Sequence, residues 1–509
     1  MEITKVEQAK KVFPFLSCAF VVSIASIVYE LLIGGISSYL LGNSVYQFSI
    51  TIGLFMTAMG LGSYLSKYIQ DNLMEKFMFI EIFLALIGGS AGFILFYSYA
   101  VLSIYVPIMF LLIISIGTLT GFELPLLTRI IKKYGDLKDV LANATAADYL
   151  GGLIGSVLFP IILLPRVGFI TTSYIVGILN IFVAAFIFIK FQASLKKNHL
   201  IILLILLVFL ILFIGILLVE DTEIYLERKL YRDPVVFSQQ SNYQRIVITK
   251  NKDDVRFFLD GNIQFSSRDE FRYHESLVHP AMSLLKDAKN ILVLGGGDGL
   301  AIREILKYEE VENIDLVDLD KQVTDLAQTS QYFLKYNENA LSDGRVSIIN
   351  KDAYLFLENS KKKYDIVIVD LPDPNNESLN KLYTVTFYRK IYNSLNEKGV
   401  MVAQSTSPYF APSCFWIIHN TIEKAGFSTS PYHVNVPSFG DWGFNIGTKG
   451  FSFNADIINI DIDTKFLSTE KAQSLFVFGK DILNQKDDRV NTLIRPILVE
   501  AYYKNWTDY

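Results

Sequence analysis

Apolar runs at 13–38, 46–68, 77–99, 104–130, 143–165, 169–190 and 198–219 dominate the first part of this chain. Each is long enough to cross a bilayer as a helix, which takes roughly 20 apolar residues. No other feature restricts the fold as much. The runs predict an N-terminal all-α transmembrane helical bundle over residues 1–220, with about seven spans. They make the protein a multi-pass component of the cell membrane, with the lipid bilayer as its partner. A removable leader is a poor reading of the first run, because further spans follow and no small-residue cleavage site is evident.

Charge divides the chain in the same place. Of the 46 Lys+Arg and 51 Asp+Glu in 509 residues, only 13 and 11 fall in the first 220 positions. An ordinary acidic soluble half therefore follows an apolar one. The formal net charge of −5 argues against nucleic acid as a partner. Cys18 and Cys414 lie in different halves and offer no disulfide framework.

Lys5, Lys10 and Lys11 precede the first run. Lys67 with Lys76, then Lys132, Lys133 and Lys138, then Lys196 and Lys197, follow the second, fourth and sixth. An excess of basic residues marks the cytoplasmic side. By that rule the N-terminus is inside and the soluble half outside. The soluble half resembles, by its motifs, enzymes whose co-substrate is made in the cytoplasm, and that points the other way, so the side of that half stays open.

Gly53, Gly60 and Gly62 in the second run and Gly151, Gly152 and Gly155 in the fifth read as small residues at close helix contacts. Glu30, Glu81, Glu123 and Asp148 lie within or at the edges of runs, where a charge is costly unless paired or turned to a polar interior. Two readings follow: pairing near helix ends, or an intramembrane polar site for a substrate or lipid headgroup. No pair of interrupted helices repeats as in a transporter.

The soluble half centres on residues 290–320, NILVLGGGDGLAIREILKYEEVENIDLVDLD. A strand at 291–294 enters a glycine turn, a helix runs to about 308, and a second strand at 314–319 ends at Asp318 and Asp320. That order opens a nucleoside-binding α/β domain: exposed N–H groups in a tight turn, then an acid placed for a ribose. In front of it, 221–265 reads as a linker and a small antiparallel β domain, with strands at 243–249 and 255–259. Behind it follow a helix at 321–334, strands at 346–349, 366–369 and 400–404, and helices at 353–358, 387–395 and 413–425. This alternation predicts a Rossmann-like, methyltransferase-like α/β domain over 266–460 and a C-terminal extension over 461–509. The extension is apolar and aromatic among its charges and reads as packing, against the membrane face in one version. Asp298, Asp318, Asp352, Asp370 and Asp373 fall at or just beyond strand ends, where such sheets bind ligands.

Tyr243-Gln244, Leu259-Asp260-Gly261 with Gln264, Asp269-Glu270-Phe271 with Tyr273-His274-Glu275, the glycine turn, Asp352, Asp370 with Asp373-Pro374, and Gln404 occur in this order. Together with Phe453-Asn454-Ala455-Asp456, the set resembles the spermidine synthase family, the polyamine aminopropyltransferases. The apolar front half resembles membrane-embedded members of that superfamily. The resemblance implies transfer of an aminopropyl group from decarboxylated S-adenosylmethionine to a primary amine such as putrescine, with release of methylthioadenosine. It implies that Gln244, Gly295, Gly297 and Asp298 hold the donor, Asp318 its ribose and Asp352 its adenine. It makes Asp370 and Tyr273 catalytic and puts Tyr273, His274, Asp373 and Gln404 on the acceptor side. The partners implied are a small polyamine and an adenosyl donor, with a homodimer among the expected assemblies. No permanently bound cofactor and no metal are expected, since the sulfonium leaves as a neutral thioether.

Asp298 would face the carboxylate of ordinary S-adenosylmethionine with a like charge, which favours the decarboxylated donor. Two departures bear on the acceptor. Leu371-Pro372 replaces small polar residues, and Phe439 stands where a tyrosine is usual, while Asp441 and Trp442 follow. Trp442 would give an aromatic wall for a cation or an alkyl chain. The polar stretch 373–384 reads as a substrate lid. The competing readings are an S-adenosylmethionine-dependent transferase acting on another amine or a lipid, and a membrane transporter or scaffold with an inactive synthase-like domain.

Overall fold

The computed structural model describes residues 5–133, 136–192, 198–483 and 485–506. Lys196 and Lys197, whose charge helped to orient the spans, and residues 507–509 of the extension lie outside them. The chain divides into two compact units, Met1–Arg232 and Asp233–Tyr509. The charged helix after the last span thus belongs to the first unit and the small sheet to the second.

The first unit is a bundle of α1 (Lys5–Leu41), α2 (Ser44–Leu65), α3 (Leu73–Gly89), α4 (Ala91–Tyr97), α5 (Tyr105–Ile131), α6 (Leu137–Leu158), α7 (Leu164–Phe191), α8 (Asn198–Leu217) and α9 (Val219–Leu230). Among the described residues, 6 helices are long and apolar enough to cross a membrane, where seven spans are expected from the sequence. The difference is confined to Lys138–Phe191, a run of 54 residues that takes in both 143–165 and 169–190. At 1.5 Å per residue it would reach roughly 80 Å, far beyond a hydrocarbon core of about 30 Å. It does not continue straight: a π turn occupies Phe159–Leu163, and Gly168 sits at φ 77° and ψ 180°. α6 packs mainly on α1, and α7 on α3.

Close packing explains some of the glycines. A Cβ on Gly62 would lie 2.0 Å from the Thr118 carbonyl oxygen, and one on Gly151 would lie 2.2 Å from that of Phe20. Gly53 and Gly60 have nothing within 4 Å of the same position, so the helix-contact reading fails there. α8 leaves most of its apolar side chains exposed, as a lipid-facing helix does.

In the second unit β1 (Val235–Gln240), β2 (Arg245–Asn251), β3 (Asp254–Leu259) and β4 (Asn262–Ser266) form an antiparallel sheet. The central pair matches the strands expected; β1 and β4 were not anticipated. Then come α10 (Glu270–Leu284), β5 (Asn290–Gly295), α11 (Leu300–Ile305), β6 (Asn313–Asp318), α12 (Lys321–Thr329), α13 (Gln331–Asn337), β7 (Val346–Asn350), α14 (Ala353–Asn359) and β8 (Tyr364–Asp370). α15 (Glu377–Asn380), α16 (Val385–Ser394), β9 (Leu395–Gln404), α17 (Pro412–Ala425), β10 (Ser428–Val436) and β11 (Gly440–Thr448) follow. The chain ends in α18 (Thr469–Ser474), α19 (Lys480–Leu483) and α20 (Leu498–Trp506). The helix expected to reach 308 stops at Ile305, and the one expected over 321–334 breaks at Ser330, whose hydroxyl caps α13.

The main sheet has the order β10-β11-β9-β8-β5-β6-β7, parallel from β9 to β7, with an antiparallel β10-β11 edge absent from the sequence reading. Alternate residues feed two cores: Ile291, Val293, Ile366 and Ile368 on one face, Leu292, Leu294, Val367 and Val369 on the other. Burial on both faces explains why these strands read as continuous apolar runs. Each such side chain contributes about 1.5–3 kcal/mol on burial. In the C-terminal extension, Leu498 and Ala501 of α20 are buried in the second core, and α20 packs on α17.

Candidate active site

β5 pairs with β6 on one side and β8 on the other. The strand order reverses there, and sheets of this kind bind ligands in the crevice beyond the carboxyl ends of their strands. The glycine turn after β5 lies at that end of the sheet. Gly295 lies at φ 80°, and a Cβ there would sit 2.0 Å from the Asp370 carbonyl oxygen. Gly297 donates its N–H to Asp318 Oδ2 at 3.1 Å, and a Cβ on it would come within 2.6 Å of that oxygen. The turn therefore packs this closely against the ends of β8 and β6 only because it has no side chains. Asp298, 7% exposed, accepts from Leu300 N at 2.9 Å, and Asn337 Nδ2 holds its carbonyl at 2.9 Å.

Asp318 also accepts from Asp320 N at 2.9 Å. Desolvation pushes the Asp318 carboxyl up to about 6, and the neighbouring Asp320 and Asp298 charges add to the rise. Gln244 Nε2 lies 3.1 Å from Asp320 Oδ2, which Ser241 Oγ also approaches at 2.6 Å. Asp352 caps α14, accepting from Tyr354 N at 2.8 Å and Leu355 N at 3.1 Å, and pairs with Lys381 Nζ at 2.6 Å. These bonds outweigh burial and hold its carboxyl below the usual range.

Across the crevice the Tyr273 hydroxyl donates to Asp370 Oδ1 at 2.6 Å. Desolvation raises Asp370 to about 6; the His274 charge opposes the rise, Asp298 adds to it, and the Tyr273 hydrogen bond opposes it. His274, 1% exposed, lies beside Tyr273, with ring centroids 5.0 Å apart. Its Nδ1 meets Glu270 O at 2.8 Å and Glu270 Oε2 at 3.0 Å. Burial disfavours its charge, but Glu270 raises it to about 8. Glu270 in turn takes Arg303 Nη1 at 2.9 Å.

Other acids of the same stretch hold the frame. Asp269 accepts from Ser438 N at 2.7 Å and Ser438 Oγ at 2.8 Å, pinning the β10-β11 turn to the start of α10. Glu275 accepts from the N–H groups of Lys465, Phe466 and Leu467 at 2.7, 2.9 and 2.9 Å.

Asp373 is reached by Thr406 Oγ1 at 3.1 Å and more loosely by Gln404 Nε2 at 3.4 Å. Desolvation raises it to about 6 against hydrogen bonds from Thr406, Gln404 and Tyr502. Gln404 Nε2 also meets the Tyr383 hydroxyl at 2.7 Å. Phe439 and Phe444 flank Tyr273 at 5.7 and 5.2 Å between centroids, and Trp442 lies 5.3 Å from Phe439. Asp441 does not join them: it binds His433 Nδ1 at 2.7 Å. Residues 441 and 442 are neighbours on one strand and so face opposite sides of the sheet.

Hydrogen bonds, ring contacts and charge interactions link Tyr273, His274, Asp298, Asp318, Asp370, Asp373, Gln404 and, through Phe439, Trp442 into one network, while Gln244 is held by Asp320 and Asp352 by Lys381. Sequence reasoning missed Tyr383, Thr406, Tyr502, Lys381 and the anchoring role of Asp320. Only Asp320, a second acid after β6, left a signal. A crevice rich in carboxylates, with an aromatic wall, suits a cationic donor and a cationic acceptor together.

Residues 270–468 match the Spermine/spermidine synthase domain family. The chain is 42% identical over 497 residues to a polyamine aminopropyltransferase of Oceanobacillus iheyensis, covering 96% of each protein. It is 43% identical over 489 residues to one of Leptospira interrogans, covering 96% of this chain and 97% of that protein. A crystal structure of a spermidine synthase in complex with the transition state analogue AdoDATO aligns at 30% identity and a TM-score of 0.46, over 49% of this chain and 87% of that one.

Proposed function

The chain belongs to the polyamine aminopropyltransferase family, and from that premise we propose that it moves an aminopropyl group from decarboxylated S-adenosylmethionine to a primary amine. The observation that carries this reading is the Tyr273–Asp370 hydrogen bond of 2.6 Å beside the glycine turn. An aliphatic ammonium with a pKa of about 10 must shed a proton before it can attack. At neutral pH the Asp370 carboxyl, at about 6, is mostly ionised and accepts that proton. The amine nitrogen then bonds to the methylene next to the sulfonium, the C–S bond breaks, and its electron pair leaves on sulfur as methylthioadenosine.

In this reading Tyr273 holds Asp370 at a fixed angle, and His274 acts through its charge and its packing on Tyr273. Asp318 receives the ribose, Asp352 the adenine edge, and Asp298 the donor ammonium, while repelling the carboxylate of ordinary S-adenosylmethionine. Asp373 and Gln404 receive the far end of the amine, against the wall made by Phe439 and Trp442. That wall and Leu371-Pro372 favour an acceptor with a longer alkyl stretch as much as putrescine.

The test is methylthioadenosine release by the purified full-length protein given decarboxylated S-adenosylmethionine and a panel of amines. Release with at least one amine, lost in Asp370→Asn, is expected. No release with any amine, or full release in the variant, overturns the proposal.

A further inference from the structure

The helical unit contains a cavity of about 560 Å³ between α1, α2, α5 and α6, within the size range of small-molecule sites. Glu30, Glu123 and Asp148 line it, and no Lys or Arg is among its described lining residues. Glu123 and Thr120 are 3% and 5% exposed, and the Thr120 hydroxyl has no hydrogen-bond partner. Glu123 Oε2 accepts from Ser26 Oγ at 3.2 Å. The carboxyl of Glu81 lies beside Glu123 and is itself held by Asn180 Nδ2 at 2.8 Å. Adjacent carboxyls inside a membrane bundle require a shared proton or a cation. Polar neighbours meet part of the need expected for these acids, but no base is among the described residues that line the cavity.

The acids lie at successive levels along α1, with Asp148 and Glu123 near one another and Glu30 further on. Asp148 lies level with Ser23, whose hydroxyl donates to its carbonyl at 2.6 Å, and Glu123 lies level with Ser26. Glu30 is a further turn along α1. From residue 23 to residue 30 the helix rises roughly 10 Å. No group of His, Cys, Asp and Glu among the described residues is disposed to hold a metal ion. The walls between the acids are apolar or aromatic, including Phe55 and Tyr149. Carboxylates at intervals along an apolar slot complement an alkyl chain with a cationic nitrogen at each end. A phospholipid headgroup would bring a phosphate toward these acids with no described base to meet it.

We propose that this cavity is a binding site for an aliphatic diammonium ion, separate from the crevice of the α/β unit. It is independent of which amine accepts the aminopropyl group.

The test is equilibrium binding of radiolabelled 1,4-diaminobutane to full-length protein in detergent, without donor. The background is Asp370→Asn/Asp373→Asn, which weakens amine binding in the crevice. Saturable binding near one equivalent per chain is expected to remain. Adding Glu30→Gln/Glu123→Gln should weaken it at least tenfold, as should Gly152→Leu, which fills the cavity beside Ser23. The nearest neighbour of a Cβ on Gly152 is Ser23 Oγ at 3.6 Å, so that substitution meets no clash at its root and decides the matter if the glutamine variant does not fold. Absence of saturable binding in the background, binding unchanged by Gly152→Leu, or displacement by sodium as effective as by diamine would each overturn the proposal.

Discussion

Tyr273, on α10, donates a 2.6 Å hydrogen bond to Asp370, the last residue of β8, and so ties the helix before the glycine turn to the end of the strand beside it. The bond also lowers the Asp370 pKa against the desolvation that raises it. Activity should fall as pH drops through about 6, where the carboxylate takes up a proton. In Tyr273→Phe that opposing hydrogen bond is gone, so the acidic limb should move to higher pH. The maximal rate should drop roughly 100-fold, the usual range for a misplaced proton acceptor. Rates of methylthioadenosine release between pH 5 and 9 check both.

Tyr502 of α20 opposes the upward shift of Asp373. Tyr502→Phe should raise the Asp373 pKa further and leave more of it protonated near neutrality. The expected result is a higher KM for the amine at pH 6–7 that recovers above pH 8, with kcat little changed. Amine titrations at the two pH values separate this from a general loss of fold, which would not recover.

Asp352 serves α14 as a cap through Tyr354 N and Leu355 N. Asparagine caps about as well as aspartate, whereas alanine costs about 1 kcal/mol. Asp352→Asn should keep the thermal midpoint but lose the Lys381 pair and weaken donor binding. Asp352→Ala should lose both stability and binding. Melting curves alongside donor KM values distinguish the two roles.

Gly297→Ala would place a Cβ 2.6 Å from Asp318 Oδ2. That atom ends a side chain and can swing away, so the fold should survive while Asp318 leaves its position. The donor KM should rise roughly tenfold or more with a smaller change in kcat, the pattern of lost ground-state binding. An unchanged donor KM would count against Asp318 as a ligand.

Much of the fold was legible because its signals are local. Continuous apolar strands separated by helices announce a parallel sheet, and the glycine turn announces the ligand edge. The β10-β11 hairpin escaped because Pro431, His433 and Asn435 dilute its apolar residues. Yet Tyr432, Val434 and Val436 alternate with them and are buried, so period 2 was there to be read. The same rule separates Asp441 from Trp442. Tyr502 and Thr406 around Asp373 had no signal, since each arrives from an element remote in the chain.

By itself the sequence determined that the acids at the ends of β5, β6 and β8 share one edge, because parallel strands all present the same end there. It also determined that an apolar bundle precedes them. Only the tertiary structure decided which oxygen meets which donor: Gln244 with Asp320, Asp352 with Lys381, Glu123 with Ser26. Those pairings depend on the packing of elements far apart in sequence, which burial of apolar surface drives without regard to order along the chain.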